Sequence, residues 1–260
     1  MRDTLRRICE LQPYYSSKNT PEMQERGRLV RQVLTEDIRA LRVLLSAALG
    51  EFGHDILVEG SDGIGRKTEL AWTRFCSEEM SPRPTDGFYV VLHFSTDGSG
   101  VNIAVGCSSS KFHNGYSVVL PPNELDNRCE WARRVVLEDR GSLEPFTDPS
   151  DFGARAKLPQ SFERASALVK KVAYADIEDD VMERHLIEAA EMLRAIYAAQ
   201  RQGRELSRLT KLSWKYSISH VRPQIFAKDR VLGSMQKSVK PLKCGQWASP
   251  RIGYVCKAIN

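Results

Sequence analysis

The chain has 260 residues, of which 42% are hydrophobic and 27% are charged, and its formal net charge is +5. This composition supports a buried core and excludes a chain that is disordered throughout. No run approaches the length of a membrane span, and no apolar signal follows the charged start MRDTLRR. We therefore expect a soluble, cytoplasmic protein with no membrane partner.

The charge is distributed unevenly along the chain. Residues 201–260 hold 13 lysines and arginines against 2 acidic residues, whereas residues 1–200 hold 25 against 31. A basic segment behind a mildly acidic body predicts an anionic partner, nucleic acid first, although a solvated basic tail has the same composition. We predict a folded domain over 1–200 and a basic, aromatic-containing extension or linker over 201–260.

Metal and catalytic signatures are missing from the sequence. The six cysteines are scattered without paired CxxC spacing, which argues against a zinc site or a disulfide framework. The five histidines form neither an HExxH pair nor a Cys/His ligand set. The sequence therefore predicts no metal, no cofactor and no nameable catalytic residue. Whether the chain is an enzyme stays open, with a non-catalytic module favoured.

In chain order, the first elements are helical. Apolar residues at three-residue spacing over 4–11 predict a short amphipathic helix. Thr20 and Pro21 then have the residue types of a helix cap and a first helical position. The helical period that follows predicts one continuous helix to about Leu49.

The middle of the chain changes to a strand-like pattern. Segments rich in β-branched and aromatic residues, bounded by glycine or proline, predict strands over 55–60, 69–76, 87–94 and 100–106. Beyond them we predict one strand and three helices, over 116–120, 123–139, 161–174 and 179–200. Helices flank the strand block on both sides, and the strands alternate in polarity. The predicted fold class is therefore α+β, with a mixed or antiparallel twisted sheet.

The stretch GSDGIGRKTELAW, residues 60–72, places three glycines before a basic pair and an apolar run. Gly60 and Gly65 have the spacing of a phosphate-binding P-loop. That motif sets a lysine directly after its last glycine, whereas here an arginine precedes Lys67. The next segment is also strand-like, although a P-loop leads into a helix that holds the anion. Nucleotide binding is therefore not indicated.

The strand over 87–94 has two different faces. Its alternation predicts a core face made of Phe88, Val90, Leu92 and Phe94. Tyr89 and His93 share the opposite face, and Trp72 lies on the neighbouring strand. Aromatic groups on one sheet face beside a glycine-rich basic loop suit a pocket that stacks a flat ring. A core tryptophan and a surface histidine are the plainer alternative.

The order of these segments resembles a known family. A helical stretch precedes EGSDGIGRKTELAW, which is followed by TDGFYVVLHFSTDGSGVNIAVG, a helix, FGARAKLP and a closing helix with LIEAAEMLRAIY. Over about residues 1–200 this is similar to the N-terminal DNA-recognition domain of McrB, the methylation-dependent restriction protein, and its relatives. The resemblance implies a sequence- and modification-dependent DNA-binding module of a bacterial restriction or defence system.

The resemblance also implies a mode of binding. Such domains flip a modified cytosine, such as 5-methylcytosine, out of double-stranded DNA and hold it in a pocket at the sheet edge. On the matching positions Trp72 and Tyr89 are pocket walls, and His93 stands where the family has an apolar side chain. Contacts to the DNA backbone fall on five loop positions: Ser61, Gly63, Gly65, Arg66 and Lys67.

No effector domain is recognised in the sequence. A GTPase motor such as that of McrB is absent, and the basic tail lacks the histidine- and asparagine-bearing metal core of an HNH nuclease. We therefore expect a recognition module that acts with a separate nuclease or motor subunit. Two alternatives stay open: a DNA-cleaving or DNA-processing enzyme with an unrecognised site, and a protein-interaction or assembly module.

Overall fold

The computed structural model describes residues 1–113 and 116–204, apart from the side chains of 112–117. Five strands form one antiparallel sheet, and in spatial order they are β1 (Ile56–Ser61), β2 (Trp72–Ser77), β3 (Phe88–Phe94), β4 (Gly100–Cys107) and β7 (Ser166–Ala173). A separate hairpin consists of β5 (Ser110–His113) and β6 (Tyr116–Val119). The predicted extension over 201–260 lies outside the described residues from position 205 onward.

Helices flank this sheet in the described part of the chain. They are α1 (Arg2–Leu11), α2 (Pro21–Arg28), α3 (Leu34–Ala40), α4 (Arg42–Leu49), α5 (Pro122–Arg140), α6 (Lys157–Arg164) and α7 (Asp179–Arg201). The predicted α+β class with an antiparallel sheet is therefore confirmed. None of these helices is long and apolar enough to cross a membrane.

The helix predicted over 21–49 is interrupted. α2 begins as predicted, since Thr20 Oγ1 accepts a hydrogen bond from the Met23 amide at 3.4 Å. A π-helical turn, Leu29–Val33, then separates α2 from α3, and Leu41 leaves helical geometry before α4. The apolar period is the same on both sides of these breaks, so periodicity alone does not show them.

The π-helical turn packs its backbone directly against the start of the sheet. The Val30 carbonyl accepts a hydrogen bond from Thr73 Oγ1 at 3.0 Å. The same carbonyl lies so close to Gly60 that a β-carbon there would be 2.4 Å from the oxygen. The first glycine of the loop motif is therefore needed for close packing.

The helix predicted over 161–174 is wrong. α6 ends at Arg164, and β7 follows it as the antiparallel neighbour of β4. The segment SALVKKVA fits a helical period and a strand period about equally well, and its β-branched valines favour the strand. The pairing with β4 decides between them, and this long-range contact is not visible in the local sequence.

The two faces of the sheet bury different clusters. The predicted core face of β3 is confirmed, because its members belong to the main core and are at most 2% exposed: Phe88, Val90, Leu92 and Phe94. The opposite face carries a smaller cluster of Leu70, Val91, Ala104, Phe152 and Val169. Tyr89 and Trp72 pack against this second cluster.

Candidate nucleic-acid interface

A cavity of about 510 Å³ opens on the second face of the sheet. Its lining comes from β2, β3 and the end of β4, the loops before β2 and β3, and helix α6. Trp72, Tyr89 and His93, the three predicted pocket residues, all line it. The sheet register brings them together, because Trp72 pairs directly with His93, and Tyr89 lies on the same face of β3.

Trp72 is half-buried at this cavity. It belongs neither to the main core nor to the open surface, since it packs against the second cluster and lines the cavity. The alternative of an ordinary core tryptophan therefore does not describe its position. Its indole ring remains accessible to a molecule that enters the cavity.

Tyr89 is held at the cavity by contacts around its ring. The hydroxyl shares its one hydrogen between the carbonyl oxygens of Pro84 and Cys107, each 3.3 Å away. The Arg74 guanidinium lies 5.1 Å from the ring centroid, within the range of a cation–π contact. Burial raises the pKa of the phenol well above its usual value, so the hydroxyl stays a neutral donor.

Arg74 is a fully buried cation in the cavity lining, and it was not among the residues predicted from the sequence. Its Nε donates to Glu59 Oε1 at 2.6 Å, and its Nη1 donates to Ser81 Oγ at 2.8 Å. A buried charge persists only when it is paired, so these contacts fix the guanidinium beneath Tyr89. The signal in the sequence was an arginine beside Phe75 in a segment whose aromatic residues predict a strand.

His93 is buried, with 3% of its surface exposed, so the alternative of a surface histidine is excluded. Its ring stacks on Phe162 with the centroids 5.8 Å apart and the planes at 13°, and Phe152 lies 5.4 Å away. Burial lowers the pKa of the imidazole to about 4, so it is neutral at pH 7. The Ala71 backbone interacts with the ring and partly offsets this lowering, while Nδ1 is enclosed and has no hydrogen-bond partner of good geometry among the described residues.

The loop after β1 is anchored by a buried acid. Asp62 is fully buried and forms ion pairs with Arg31 and Lys67. Arg26, also fully buried, donates from Nη2 to the Thr68 carbonyl at 2.7 Å. A loop that is anchored on its buried side by ion pairs and hydrogen bonds loses little further conformational entropy when it binds a ligand.

The five predicted DNA-backbone residues occupy three different environments. Ser61 and Gly63 line the cavity. Gly65, with a φ of +75°, and Arg66 lie at the exposed tip of the loop. Lys67 is turned inward, where its ammonium pairs with Asp62 and 14% of its side chain is exposed. The structure therefore brings the first two to the cavity and separates Lys67 from the surface charge at the tip.

Gly63 gives the loop its shape. Its φ is +106°, and a β-carbon there would lie 2.1 Å from the Arg66 carbonyl oxygen. The Thr68 amide closes the loop by donating to the Asp62 carbonyl at 2.8 Å. Only glycine fits this close approach with a positive φ.

Ile64 lies at the tip of this loop and was not predicted from the sequence either. Its side chain is 99% exposed, yet it contributes to the cavity lining. Leu158 on α6, 42% exposed, is a second uncovered apolar residue of the lining. An isoleucine between two glycines in a polar loop was the signal, because nothing in such a loop buries it.

The match to known families covers the domain just described. A family model described as MrcB-like, N-terminal domain, matches residues 10–199. The chain belongs to this family. The resemblance to the N-terminal domain of McrB that was predicted from the sequence is thereby confirmed, over all five strands of the sheet and the whole cavity. Searches of curated proteins and of solved structures gave no match.

The cavity of the MrcB-like domain suits binding by stacking and hydrogen bonding. Flat rings line it, a neutral imidazole lies among them, and an exposed arginine stands at the loop tip beside it. Among the described residues no carboxylate contributes to the lining.

The MrcB-like domain also carries a group of metal-type side chains away from the cavity. Atoms of His54, Asp55 and Glu79 come within 4.8 Å of one another. Asp55 Oδ2, however, already accepts hydrogen bonds from Ser77 Oγ at 3.1 Å and from the Glu79 amide at 2.7 Å. This carboxylate therefore holds the turn that follows β2.

Proposed function

We propose that the chain binds double-stranded DNA as the recognition module of a restriction system, and that its cavity receives a modified cytosine flipped out of the duplex. The observation that carries the proposal is the convergence of Trp72, Tyr89 and His93 on one cavity of about 510 Å³. Membership of the MrcB-like N-terminal family supports DNA as the partner.

The energetics of base flipping fit this cavity. Removing a base from the stack costs a few kcal/mol. Stacking on an aromatic side chain returns about 1–3 kcal/mol per base. Trp72 and Tyr89 supply such surfaces, and the fixed hydroxyl of Tyr89 keeps its ring from turning away. The aromatic lining therefore offsets most of the cost of flipping.

The loop after β1 supplies side chains that would contact the duplex from which the base is flipped. A flipped base leaves a gap in the stack, and apolar side chains such as isoleucine fill gaps of this kind. Ile64, almost fully exposed beside the cavity, is placed for that role. Arg66 next to it offers a cation to a backbone phosphate, which positions the protein without recognising sequence.

Cleavage is assigned to a separate nuclease or motor subunit. The lining of the cavity, as far as the structure describes it, consists of aromatic, apolar and polar side chains without a carboxylate, which is in keeping with a site that holds a base. Binding and cleavage are thus divided between this domain and its partner.

The test is a comparison of duplexes that differ at one cytosine. Fluorescence anisotropy should show tighter binding of the full chain to a methylated or hydroxymethylated duplex than to an unmodified one. Trp72→Ala and Tyr89→Ala should each lower that affinity about five- to a hundredfold, since each removes one stacking surface. Tyr14→Ala, an exposed tyrosine outside the cavity lining, is the matched control.

Two results would contradict the proposal. Equal affinity for all duplexes would show that the modified base is not recognised. Unchanged affinity in both aromatic variants would show that the cavity is not the binding site. Metal-dependent cleavage of DNA by the chain alone would instead support the enzymatic alternative.

A further inference from the structure

A second exposed segment, residues 155–158, borders the cavity in addition to the loop after β1. Leu158 is 42% exposed and contributes to the cavity lining. Arg155 and Lys157, just before it, are exposed, and neither side chain has an ion-pair or hydrogen-bond partner in the described part of the chain. The segment therefore presents two unpaired cations next to an apolar residue of the lining.

Carboxylates hold this segment in place through its backbone. Glu69, which is 7% exposed, accepts hydrogen bonds at Oε2 from the amides of Arg155 at 2.7 Å and Ala156 at 3.1 Å. Glu163 Oε1 accepts from two amides just upstream, at 2.8 and 2.9 Å. Hydrogen bonds to an ionised acceptor are roughly twice as strong as neutral ones. The backbone of the segment is therefore fixed before any ligand binds, which lowers the entropy cost of binding.

Glu69 also connects the segment to the loop after β1. It lies three positions after Arg66 and three before Trp72, the first residue of β2. Because its carboxylate binds the Arg155 amide, the segment and the end of the loop lie side by side at the cavity. Each of the two thus carries an exposed aliphatic residue of the lining, Ile64 or Leu158, close to exposed cations.

The charges of this segment suit a phosphate ligand. The amides of Arg155 and Ala156 are occupied by Glu69, so the segment offers a ligand its side-chain charges and not its backbone. A nucleotide that is flipped out of a duplex rotates about its backbone and stays joined to its strand. The phosphates on both sides of it therefore remain close to the mouth of the cavity that holds the base.

We infer that residues 155–158 form a second DNA-backbone contact, in which Arg155 and Lys157 bind phosphates near the flipped nucleotide, in addition to the contact at Arg66. The inference rests on the proposed function, since the DNA has to lie over the cavity to reach this segment. Phosphate contacts position a protein on the duplex and carry no information about the base. They therefore strengthen binding to modified and unmodified DNA alike and leave discrimination to the cavity.

The experiment measures how the full chain binds three duplexes that are identical except for one cytosine: unmodified, 5-methylated and 5-hydroxymethylated. Arg155→Ala and Lys157→Ala should each lower the affinity for all three by a similar factor, roughly three- to tenfold at about 0.1 M salt. Each should also make the slope of log affinity against log salt shallower by about 1. Arg155→Lys and Lys157→Arg keep the charge and should keep the slope.

The matched control is Arg184→Ala, at an exposed position on α7. α7 packs against the main core, on the face of the sheet away from the cavity, so this change should leave the slope unaltered. All three alanine variants replace exposed side chains and should melt like the wild type.

Two outcomes would overturn the inference. One is a pair of variants, Arg155→Ala and Lys157→Ala, whose salt slopes match that of Arg184→Ala. The other is a loss of affinity confined to the modified duplexes without a change of slope. That result would mean that the segment shapes the cavity and does not contact phosphates.

Failure of the proposed function gives a different pattern. In that case no modified duplex is preferred to the unmodified one, and Trp72→Ala leaves binding unchanged. If modified DNA is preferred and Trp72→Ala abolishes the preference, the cavity is the site. The salt slopes of the Arg155 and Lys157 variants then test this segment alone.

Discussion

Lys67 and Asp62 are joined by an ion pair inside the loop after β1. Asp62 is fully buried, and the Arg31 guanidinium reaches the same carboxylate from α2's π-helical extension. Of the basic pair in the sequence, Lys67 thus has its charge paired within the protein, whereas Arg66 is exposed at the loop tip. Two adjacent basic residues therefore have different tasks.

This difference predicts separable effects on DNA binding. Arg66→Ala should remove one phosphate contact, and the slope of log affinity against log salt should become shallower by about 1. Lys67→Ala should leave that slope unchanged, because its charge is already paired with Asp62. Anisotropy titrations at several salt concentrations measure both slopes. Equal changes in the two variants would show that Lys67 also contacts a phosphate.

Loss of the buried acid should weaken the loop anchor. Asp62→Asn leaves Arg31 and Lys67 without a counterion, and unfolding in urea should become easier by about 1–3 kcal/mol. This expected loss is smaller than the loss for a fully buried ion pair, since the Arg31 side chain is 43% exposed. Adding Lys67→Met should recover part of the loss, because it removes one of the unpaired cations. Additive effects of the two changes would argue against a shared interaction.

Ile64 should matter for binding and not for folding. Ile64→Ala removes an almost fully exposed side chain, so the melting temperature should stay within about one degree of the wild type. Affinity for a modified duplex should fall about five- to twentyfold if the side chain fills the gap in the stack. Val43→Ala, a change at an 82% exposed position on α4, is the control. Equal affinity of both variants would exclude Ile64 from the interface.

The buried imidazole should make stability depend on pH. The pKa of His93 falls from an ordinary value of about 6.5 in the unfolded chain to about 4 in the fold, so the unfolded state binds the proton first. The contribution of the buried neutral imidazole to the free energy of unfolding is fully present above about pH 6.5. It should be lost as the pH falls to about 4, and the loss should reach up to about 3 kcal/mol.

The measurement is the difference between wild type and His93→Leu in urea unfolding at several pH values. The wild type should lose stability relative to the variant over this window, because leucine does not titrate. Other groups titrate in both proteins and cancel in the comparison. A constant difference from pH 7 to 4 would show that the imidazole is not held neutral by burial.

The sheet and the cavity residues were predictable because they depend on strand alternation. The two faces of β3 follow from a period of two residues, and this alone places Tyr89 and His93 together. Trp72 joins them because adjacent antiparallel strands bring opposite residues to one face. The local sequence pattern and the geometry of a sheet therefore suffice to predict that these three side chains lie on one face.

Other features needed contacts between distant segments. β7 is chosen by its pairing with β4, whose paired residues lie 60 to 73 positions earlier in the chain, so its own sequence allowed a helix. The inward turn of Lys67 depends on Arg31 and on the buried Asp62. Arg74 is stabilised by Glu59 from another strand. None of these partners is recognisable from neighbouring residues.

The packing of the Val30 carbonyl against Gly60 links the helical N-terminal segment to the loop that is proposed to touch DNA. Arg26 and Arg31 hold the same loop from the same segment, and Gln12 in turn receives a hydrogen bond from Arg26 at 2.7 Å. A fragment that lacks this N-terminal segment would keep every side chain of the cavity lining and lose the contacts that hold the loop after β1. We therefore expect the smallest fragment that keeps this loop in place to begin ahead of Gln12.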